Sequence, residues 1–342
     1  MKYLYVLTST PKDTYYEEFL LSATSLRYIM ADADITLLCD SQTKETLVGN
    51  RTEYIKLISN EMVINCPSSM PQIEVSRWLK TSMRRFVKGD FLYIDNDTII
   101  TEDLSEISKN INYFAACLDL NTSLDKHFNR DIFINNDIKL GFTSYKSNKH
   151  YNGGILFCKD TPETHKIFDR WHELWQFSKD KGIVRDQPSF NMAIYENIDF
   201  FTELDGIWNC QITHNHFPLP CFAYSKIIHY FSSTLSNHKS PFILASSNIL
   251  NTIKEKSCIP DDILEMIKNP KAAFGIDTKI VYGDDMISVV NSRLFEAIYW
   301  IKKTKPKMFN RLNKLIFNIK KIAKSFYIKK SKKHDGGIKY YN

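Results

Sequence analysis

The sequence predicts an α/β fold: a mixed, mostly parallel sheet flanked by helices, with a helical C-terminal extension. Three observations predict it. Apolar runs of strand length alternate with stretches of helical spacing through the first hundred residues, an alternation that builds parallel sheets covered by helices on both faces. The chain has 342 residues, 43% hydrophobic and 25% charged; this is enough for one large α/β domain with an appendage, and it excludes collagen-like, disordered and disulfide-scaffold classes. No apolar run approaches the ~20 residues that a membrane-spanning helix needs. The first eight residues are too short and too quickly polar for a signal peptide.

Residues 2–7 form the first apolar run and end in the loop Thr8-Ser9-Thr10-Pro11. Thr14 and Glu17 have the spacing of a capping box, and Phe19, Ala23, Leu26 and Met30 then recur at helical spacing. Residues 35–39 read as the second strand and residues 54–58 as a third. Trp78, Leu79, Met83 and Phe86 form the apolar side of a helix that also carries Arg77, Lys80 and Arg84. Residues 91–94 are a buried strand, and residues 113–118 and 154–157 read as further strands. A long helix is expected over residues 161–177. The polar, Asn- and Lys-rich stretch 121–147 reads as an active-site loop or lid, and residues 246–303 as helical with a weaker pattern. The expected partition is a catalytic domain over residues 1–245, a helical extension over 246–303 and a tail over 304–342.

Charge divides the chain. Residues 301–342 hold 14 Lys or Arg and one acidic residue, leaving 31 basic and 38 acidic residues elsewhere. Such a tail contacts something anionic, either nucleic acid or a membrane surface. The body shows no basic patch with interleaved aromatics, so no nucleic-acid partner is expected. The seven cysteines are scattered, odd in number and never in a CxxC pair, which fits buried thiols in a reducing compartment and argues against a structural zinc knuckle.

Asp95-Asn96-Asp97-Thr98 follows the apolar run 91–94 directly. Positions i and i+2 of extended chain point to the same side, about 6.6 Å apart at ~3.3 Å per residue, so the two carboxylates can converge on one cation. Asn96 points the other way, toward backbone groups. Two acids placed together at the end of a hydrophobic strand are costly unless a cation or hydrogen bonds compensate. Two chemistries use this arrangement. In sugar transfer from a nucleotide diphosphate, a metal neutralises the leaving diphosphate. In haloacid-dehalogenase phosphotransferases, Asp-x-Asp-x-Thr supplies an aspartyl nucleophile, here Asp95, and Gly283-Asp284-Asp285 imitates that family's second acidic motif. That nucleophile normally lies on the first strand of its domain, whereas three strand-like segments precede Asp95. A sugar-nucleotide pyrophosphorylase is disfavoured, because no Gly-rich phosphate loop follows the first strand. A non-catalytic sugar-binding, membrane-associated protein is the third alternative.

Four further segments decide between these. Ser76-Arg77-Trp78-Leu79-Lys80-Thr81 precedes the acidic pair; Tyr151-Asn152-Gly153-Gly154-Ile155-Leu156-Phe157, Asp186-Gln187-Pro188-Ser189-Phe190-Asn191 and Ile227-Ile228-His229-Tyr230-Phe231 follow it. In this order they resemble the metal-dependent GT-A glycosyltransferases, and among them family 8 and its bacterial relatives, over about residues 2–230. The resemblance implies a GT-A, Rossmann-like fold and transfer of a sugar from a nucleotide diphosphate donor, most often a UDP-sugar, to a glycan or lipid-linked acceptor. It implies Mn²⁺ or Mg²⁺ held by Asp95, Asp97 and His229, and retention of configuration. Thr8 and Tyr15 or Tyr16 would hold the nucleobase. Arg77 and Lys80, three apart on one helix face, would meet phosphate or sugar oxygens; Asn96 would also lie against the donor. Asn152 with Gly153 would approach the donor sugar, since glycine lets backbone come near a ligand. Asp186 and Gln187 would flank the anomeric carbon: Gln187 to steady the sugar, Asp186 as the base if the enzyme inverts instead. Where the family usually shows Gly and then Lys-Pro-Trp after its metal histidine, this chain has Tyr230-Phe231-Ser232-Ser233 and, later, Lys239. Lys239 would take the diphosphate role at longer spacing.

In the tail, Phe309, Leu312, Leu315, Ile316, Ile319, Ile322 and Phe326 follow helical spacing, with Lys314, Lys320, Lys321 and Lys324 on other faces. A basic helix with an apolar stripe lies in a membrane interface, so residues 304–333 are expected on an anionic membrane. The protein is then cytoplasmic, peripheral on the inner face of that membrane, and its reaction serves cell-surface polysaccharide or lipopolysaccharide synthesis.

Overall fold

A computed structural model describes residues 1–67, 69–213, 219–231, 242–274, 289 and 292–331, with the side chains of 219–220 and 320–331 outside the description. The chain divides into two compact units, Met1–Ile287 and Ser288–Asn342. The stretch 246–303, read from sequence as one extension, is therefore shared between them.

In the first unit the elements are β1 (Lys2–Leu7), α1 (Tyr15–Ile29), β2 (Asp34–Asp40), α2 (Ser41–Thr46), β3 (Asn60–Ile64), α3 (Gln72–Phe86), β4 (Phe91–Ile94) and β5 (Thr98–Ile100). They continue with β6 (Phe114–Leu118), α4 (Arg130–Leu140), β7 (Tyr151–Cys158), α5 (Pro162–Asp180), α6 (Gln187–Glu196), β8 (Phe201–Leu204) and β9 (Cys210–Gln211). The described remainder is α7 (Leu219–Ala223), β10 (Ile227–His229), α8 (Ser247–Lys256) and α9 (Asp261–Lys268).

The main sheet has the order β3-β2-β1-β4-β7-β6-β8. All its neighbours pair in parallel except β7, which runs antiparallel to both β4 and β6. This is the mixed, mostly parallel sheet the alternation predicts. Side-chain alternation along β1 divides the interior: Tyr3, Tyr5 and Leu7 enter one apolar cluster with α1, α8 and α9, while Leu4 and Val6 enter the other with α3, α5 and α6. Because both faces are covered, the central strands are continuous apolar runs. A second sheet, β5-β10-β9, stands beside the carboxyl end of β4. Its antiparallel β10–β5 pair sets His229 opposite Thr98.

Four local expectations are corrected. Residues 54–58 are not a strand: Glu53–Lys56 is a 3₁₀ turn anchored by buried Tyr54, whose hydroxyl donates to Glu61 at 2.9 Å. The third strand begins at Asn60, and its polar, half-exposed edge residues hid it. The stretch 121–147 is not a bare loop, because α4 and short 3₁₀ turns occupy it. The capping box does not form: Thr14 makes no side-chain cap, and Asp13 instead accepts from the Thr10 and Tyr15 amides at 2.7 and 3.2 Å. Finally, Asp95 and Asp97 do not lie on extended strand. They sit in the tight turn between β4 and β5, and the turn rather than strand alternation brings them together.

Candidate active site

The turn that holds the acids is built by short-range bonds. Asp95 N–H donates to the Gly154 carbonyl at 2.8 Å, continuing the β4–β7 ladder one step. The Thr98 hydroxyl donates back to the Asp95 carbonyl at 2.8 Å, closing the turn. Asn96 faces the other way and donates to the Val6 carbonyl at 3.0 Å, tying the turn to the end of β1. The Tyr230 N–H reaches the Asp97 carbonyl at 3.1 Å, which locks β10 against it.

Among the described residues, Asp95, Asp97 and His229 form a group able to hold a metal ion, offering ligand atoms that all lie within 4.8 Å of one another. Two carboxylates and an imidazole are a donor set suited to Mn²⁺ and Mg²⁺-like ions, the imidazole favouring the former. His229 Nε2 lies 3.2 Å from Asp97 Oδ1. Burial works to lower the His229 pKa, but Asp97 and then Asp95 outweigh it and hold it above the usual histidine value. The Phe231 ring stacks on this imidazole, centroids 4.3 Å apart, from a backbone at φ 47°.

Basic groups close the other side. Lys80, 7% exposed, places Nζ 3.0 and 3.2 Å from the two Asp95 oxygens, and the Tyr93 hydroxyl donates to the same carboxylate. The Arg77 guanidinium is 3.1 Å from Asp186. Burial lowers the Arg77 pKa, yet Asp186, then Asp95, raise it overall. The helix spacing of Arg77 and Lys80 thus delivers two cations to one acidic pocket. Asp186 stands at the start of α6 without capping it. Gln187 lies beside the same strand end, its Nε2 3.4 Å from the Tyr151 carbonyl.

The remaining positions separate. Tyr16 is buried, edge-on to Tyr54 with Arg51 over its ring, so it belongs to the core. Tyr15 is half-buried; burial raises its pKa first, with Asp97 and Arg77 among the charges its hydroxyl feels. Thr8 is buried just past the end of β1. Asn152 is buried with three of its four hydrogen-bonding positions used by protein: Nδ2 donates to Asp119 at 2.8 Å, and Oδ1 accepts from Gly154 N–H at 2.8 Å and Asn209 Nδ2 at 3.0 Å. The position that demands glycine is Gly154, where an added Cβ would stand 2.5 Å from His229 Cε1. At Gly153 the nearest atom, Lys80 Cε, is at an ordinary 3.7 Å. Lys239 lies outside the described residues, as does the segment Gly283-Asp284-Asp285.

Sequence reasoning missed Asp119, Asn209 and Tyr93. Asp119 carries the same signal as Asp95, an acid directly after an apolar strand. Its carboxyl is held below the ordinary value: burial raises it, but the bond from His127 and the charges of His150 and His127 prevail. Asn209 ends the short turn Gly206–Asn209 and is wholly buried; nothing in local spacing marks it.

With this geometry in place, residues 89–235 match the family model described as glycosyl transferase family 8, and that segment contains Asp95, Asp97, Asn152, Asp186, Gln187 and His229. The chain is a glycosyltransferase of the GT-A fold. Three solved structures are similar to it. Mouse xyloside xylosyltransferase 1, in its apo form, is 14% identical over 67% of this chain and 96% of its own, with a TM-score of 0.45. The apo structure of the WbbM bifunctional glycosyltransferase is 15% identical over 79% of this chain, at a TM-score of 0.50, and the match spans 52% of that chain. The galactosyltransferase LgtC, in complex with donor and acceptor sugar analogues, is 14% identical over 78% of this chain and 99% of its own, at a TM-score of 0.46. At these identities the likeness is one of fold. No curated protein matches the sequence. The phosphotransferase reading of the acidic pair gives way to the glycosyltransferase, because the family model matches the segment that holds the pair and three strands precede β4 and Asp95.

Proposed function

We propose that this glycosyltransferase is a metal-dependent, retaining enzyme that moves a sugar from a UDP-sugar to a glycan or lipid-linked acceptor. The convergence of Asp95, Asp97 and His229 beside Lys80 and the Arg77–Asp186 pair carries the reading. Asp95, Asp97 and His229 would hold Mn²⁺ or Mg²⁺, which when bound neutralises charge on the departing diphosphate. The residues of the chain supply the rest. Arg77, with a planar guanidinium suited to bidentate oxygens, and Lys80 present positive charge where negative charge grows on the leaving group. Tyr15 and Thr8, past the end of β1, lie where the nucleoside would rest, and Asn96 holds that strand end in place. Gln187 steadies the sugar, since an amide is a poor nucleophile, and Gly153 with Asn152 shapes the wall against which it sits. Asp186 is paired with Arg77 and so is poorly suited to act as a free base. That favours retention: the acceptor hydroxyl attacks from the side the leaving group vacates and passes its proton to the departing phosphate oxygen. Lys239 remains the candidate for a further diphosphate contact.

A panel of nucleotide sugars tests this. One UDP-sugar is expected to be hydrolysed slowly without acceptor in the presence of Mn²⁺ and not after chelation. Absence of turnover of every donor with Mn²⁺ and with Mg²⁺, or turnover indifferent to chelation, contradicts it.

The second unit supports a membrane-surface role in surface polysaccharide or lipopolysaccharide synthesis at the inner face. No helix among the described residues is long and apolar enough to cross a membrane. Its two helices, Arg293–Thr304 and Pro306–Ser331, expose Leu294, Trp300, Leu315, Ile316 and Ile319, with Lys302 and Lys305 over the rings of Phe309 and Trp300. Aromatic and aliphatic side chains beside lysines match an anionic interface, where each Lys or Arg adds about 1 kcal/mol. Removing residues 288–342 is expected to abolish sedimentation with anionic vesicles, and raised salt to weaken it. Binding that is salt-insensitive and independent of this unit contradicts the assignment.

A further inference from the structure

We infer that a buried chain of hydrogen bonds running from Asp119 through Asn152 and Asn209 fixes which nitrogen of His229 faces the acidic pair, making Asn209 a positioning residue for the metal site. The inference rests on the reading of His229 as a ligand and extends it to residues that do not touch the ion.

Each link as far as Asn209 has a forced direction. His127 Nδ1 accepts from the Asn129 amide at 3.0 Å, so a hydrogen sits on Nε2, which lies 3.1 Å from Asp119 Oδ2. The other Asp119 oxygen can only accept, and takes the Asn152 Nδ2–H at 2.8 Å. That orients the Asn152 amide; the Gly154 N–H, which can only donate, confirms it by reaching Oδ1 at 2.8 Å. Asn152 Oδ1 then requires a donor from Asn209, whose Nδ2 is 3.0 Å away. With its NH₂ so committed, Asn209 turns Oδ1 to His229 Nδ1 at 3.0 Å and can only accept there. Asp97 Oδ1, 3.2 Å from Nε2, also only accepts, so the metal-free ring faces an acceptor at both nitrogens; once an ion takes Nε2, the one remaining proton sits on Nδ1 and is held there by Asn209. Such outer hydrogen bonds set the tautomer and ring orientation of metal-ligating histidines.

The chain is sealed and braced. His127, Asp119, Asn152, Asn209 and His229 are all at most 6% exposed, so water does not offer alternative partners. The Asn209 backbone carbonyl accepts from Asn121 Nδ2 at 3.1 Å, and at Gly206, which opens its turn, any Cβ would stand 2.6 Å from the Asn121 side chain. Asn209 is therefore held from both its side chain and its backbone.

The test uses the full-length protein. In Mg²⁺-loaded enzyme, two-bond ¹H–¹⁵N spectra of ¹⁵N-histidine-labelled protein, with His229 assigned by its loss in His229→Gln, are expected to show the Nδ1–H form. Asn209→Leu is expected to weaken Mn²⁺ binding by about 10–100-fold, read by calorimetry. Asn209→Asp keeps the acceptor at Nδ1 but loses the donor to Asn152 Oδ1, and is expected to retain the Nδ1–H form and to bind Mn²⁺ more tightly than Asn209→Leu, an order that a merely space-filling role would not produce. An Nε2–H form in the natural protein, or equal Mn²⁺ affinity in Asn209→Leu and the natural sequence while Asp97→Ala loses it, overturns the inference. Unchanged Mn²⁺ affinity in Asp97→Ala instead overturns the metal reading, and the spectrum still judges the chain of bonds. The natural protein's spectrum does so as well if Asn209→Leu does not fold.

Discussion

Asp97→Ala is expected to lower Mn²⁺-dependent hydrolysis of the donor by roughly a thousandfold or more while the protein stays folded. Charge stabilisation by a bound cation amounts to several kcal/mol, and each tenfold in rate is about 1.4 kcal/mol. Asp97 contributes twice, as a ligand atom and as the partner of His229 at 3.2 Å, so its removal also leaves a buried imidazole without its counter-charge. The fold is expected to survive because Asp97 sits in a turn and is only partly buried, and because the bonds shaping that turn come from its backbone and from Thr98. Circular dichroism and the urea midpoint separate loss of chemistry from loss of structure. Activity within tenfold of the natural enzyme contradicts the assignment.

Gly154→Ala has the second-largest expected effect, reached through packing alone. Its methyl would meet His229 Cε1 at 2.5 Å, Nδ1 at 2.8 Å and Asn152 Oδ1 at 2.9 Å, well inside ordinary contact distance. β7 is an interior strand paired on both sides, and the interior around it is close-packed. The imidazole must therefore move rather than the backbone. A displacement of about 1 Å at a reacting site costs on the order of a hundredfold in rate, and Mn²⁺ affinity is expected to fall with it. Gly153→Ala is the control, because its methyl meets only ordinary contacts and is expected to leave Mn²⁺ affinity unchanged. Equal metal affinity in the two variants would show that the close approach of β7 to His229 has no bearing on the site.

The parts legible in the sequence are those with a local signal. The apolar runs of β1, β4 and β7 show their burial in their composition, and Arg77 and Lys80 show their common face in their spacing. Asp95 and Asp97 stand out because two acids placed together at the end of a buried strand are costly unless a cation or hydrogen bonds compensate. His229 was legible only by its order among other segments. What stayed hidden depends on contacts between distant residues. Asn209 lies 57 positions from Asn152, and nothing nearby in sequence demands an amide there. Tyr15 and Tyr16 could not be separated until Tyr54 was seen to take one of them into the core. β3 escaped because an edge strand with one exposed side need not be apolar, and α4 escaped because its residues lack a clear apolar face. The two acids do come together, but a tight turn produces their geometry where the sequence suggests strand alternation. That turn, with β5 and β10 closing behind it, explains why an imidazole from 132 residues later lies 3.2 Å from Asp97.

The most direct measurement is an anomalous difference map from crystals soaked with Mn²⁺ and UDP. A single strong peak bonded to Asp95, Asp97 and His229 Nε2, at about 2.1–2.3 Å from each, is the predicted result, with the diphosphate against it on the side of Arg77 and Lys80. A manganese peak elsewhere in the cleft, or UDP bound with those three side chains turned away from it, contradicts the account.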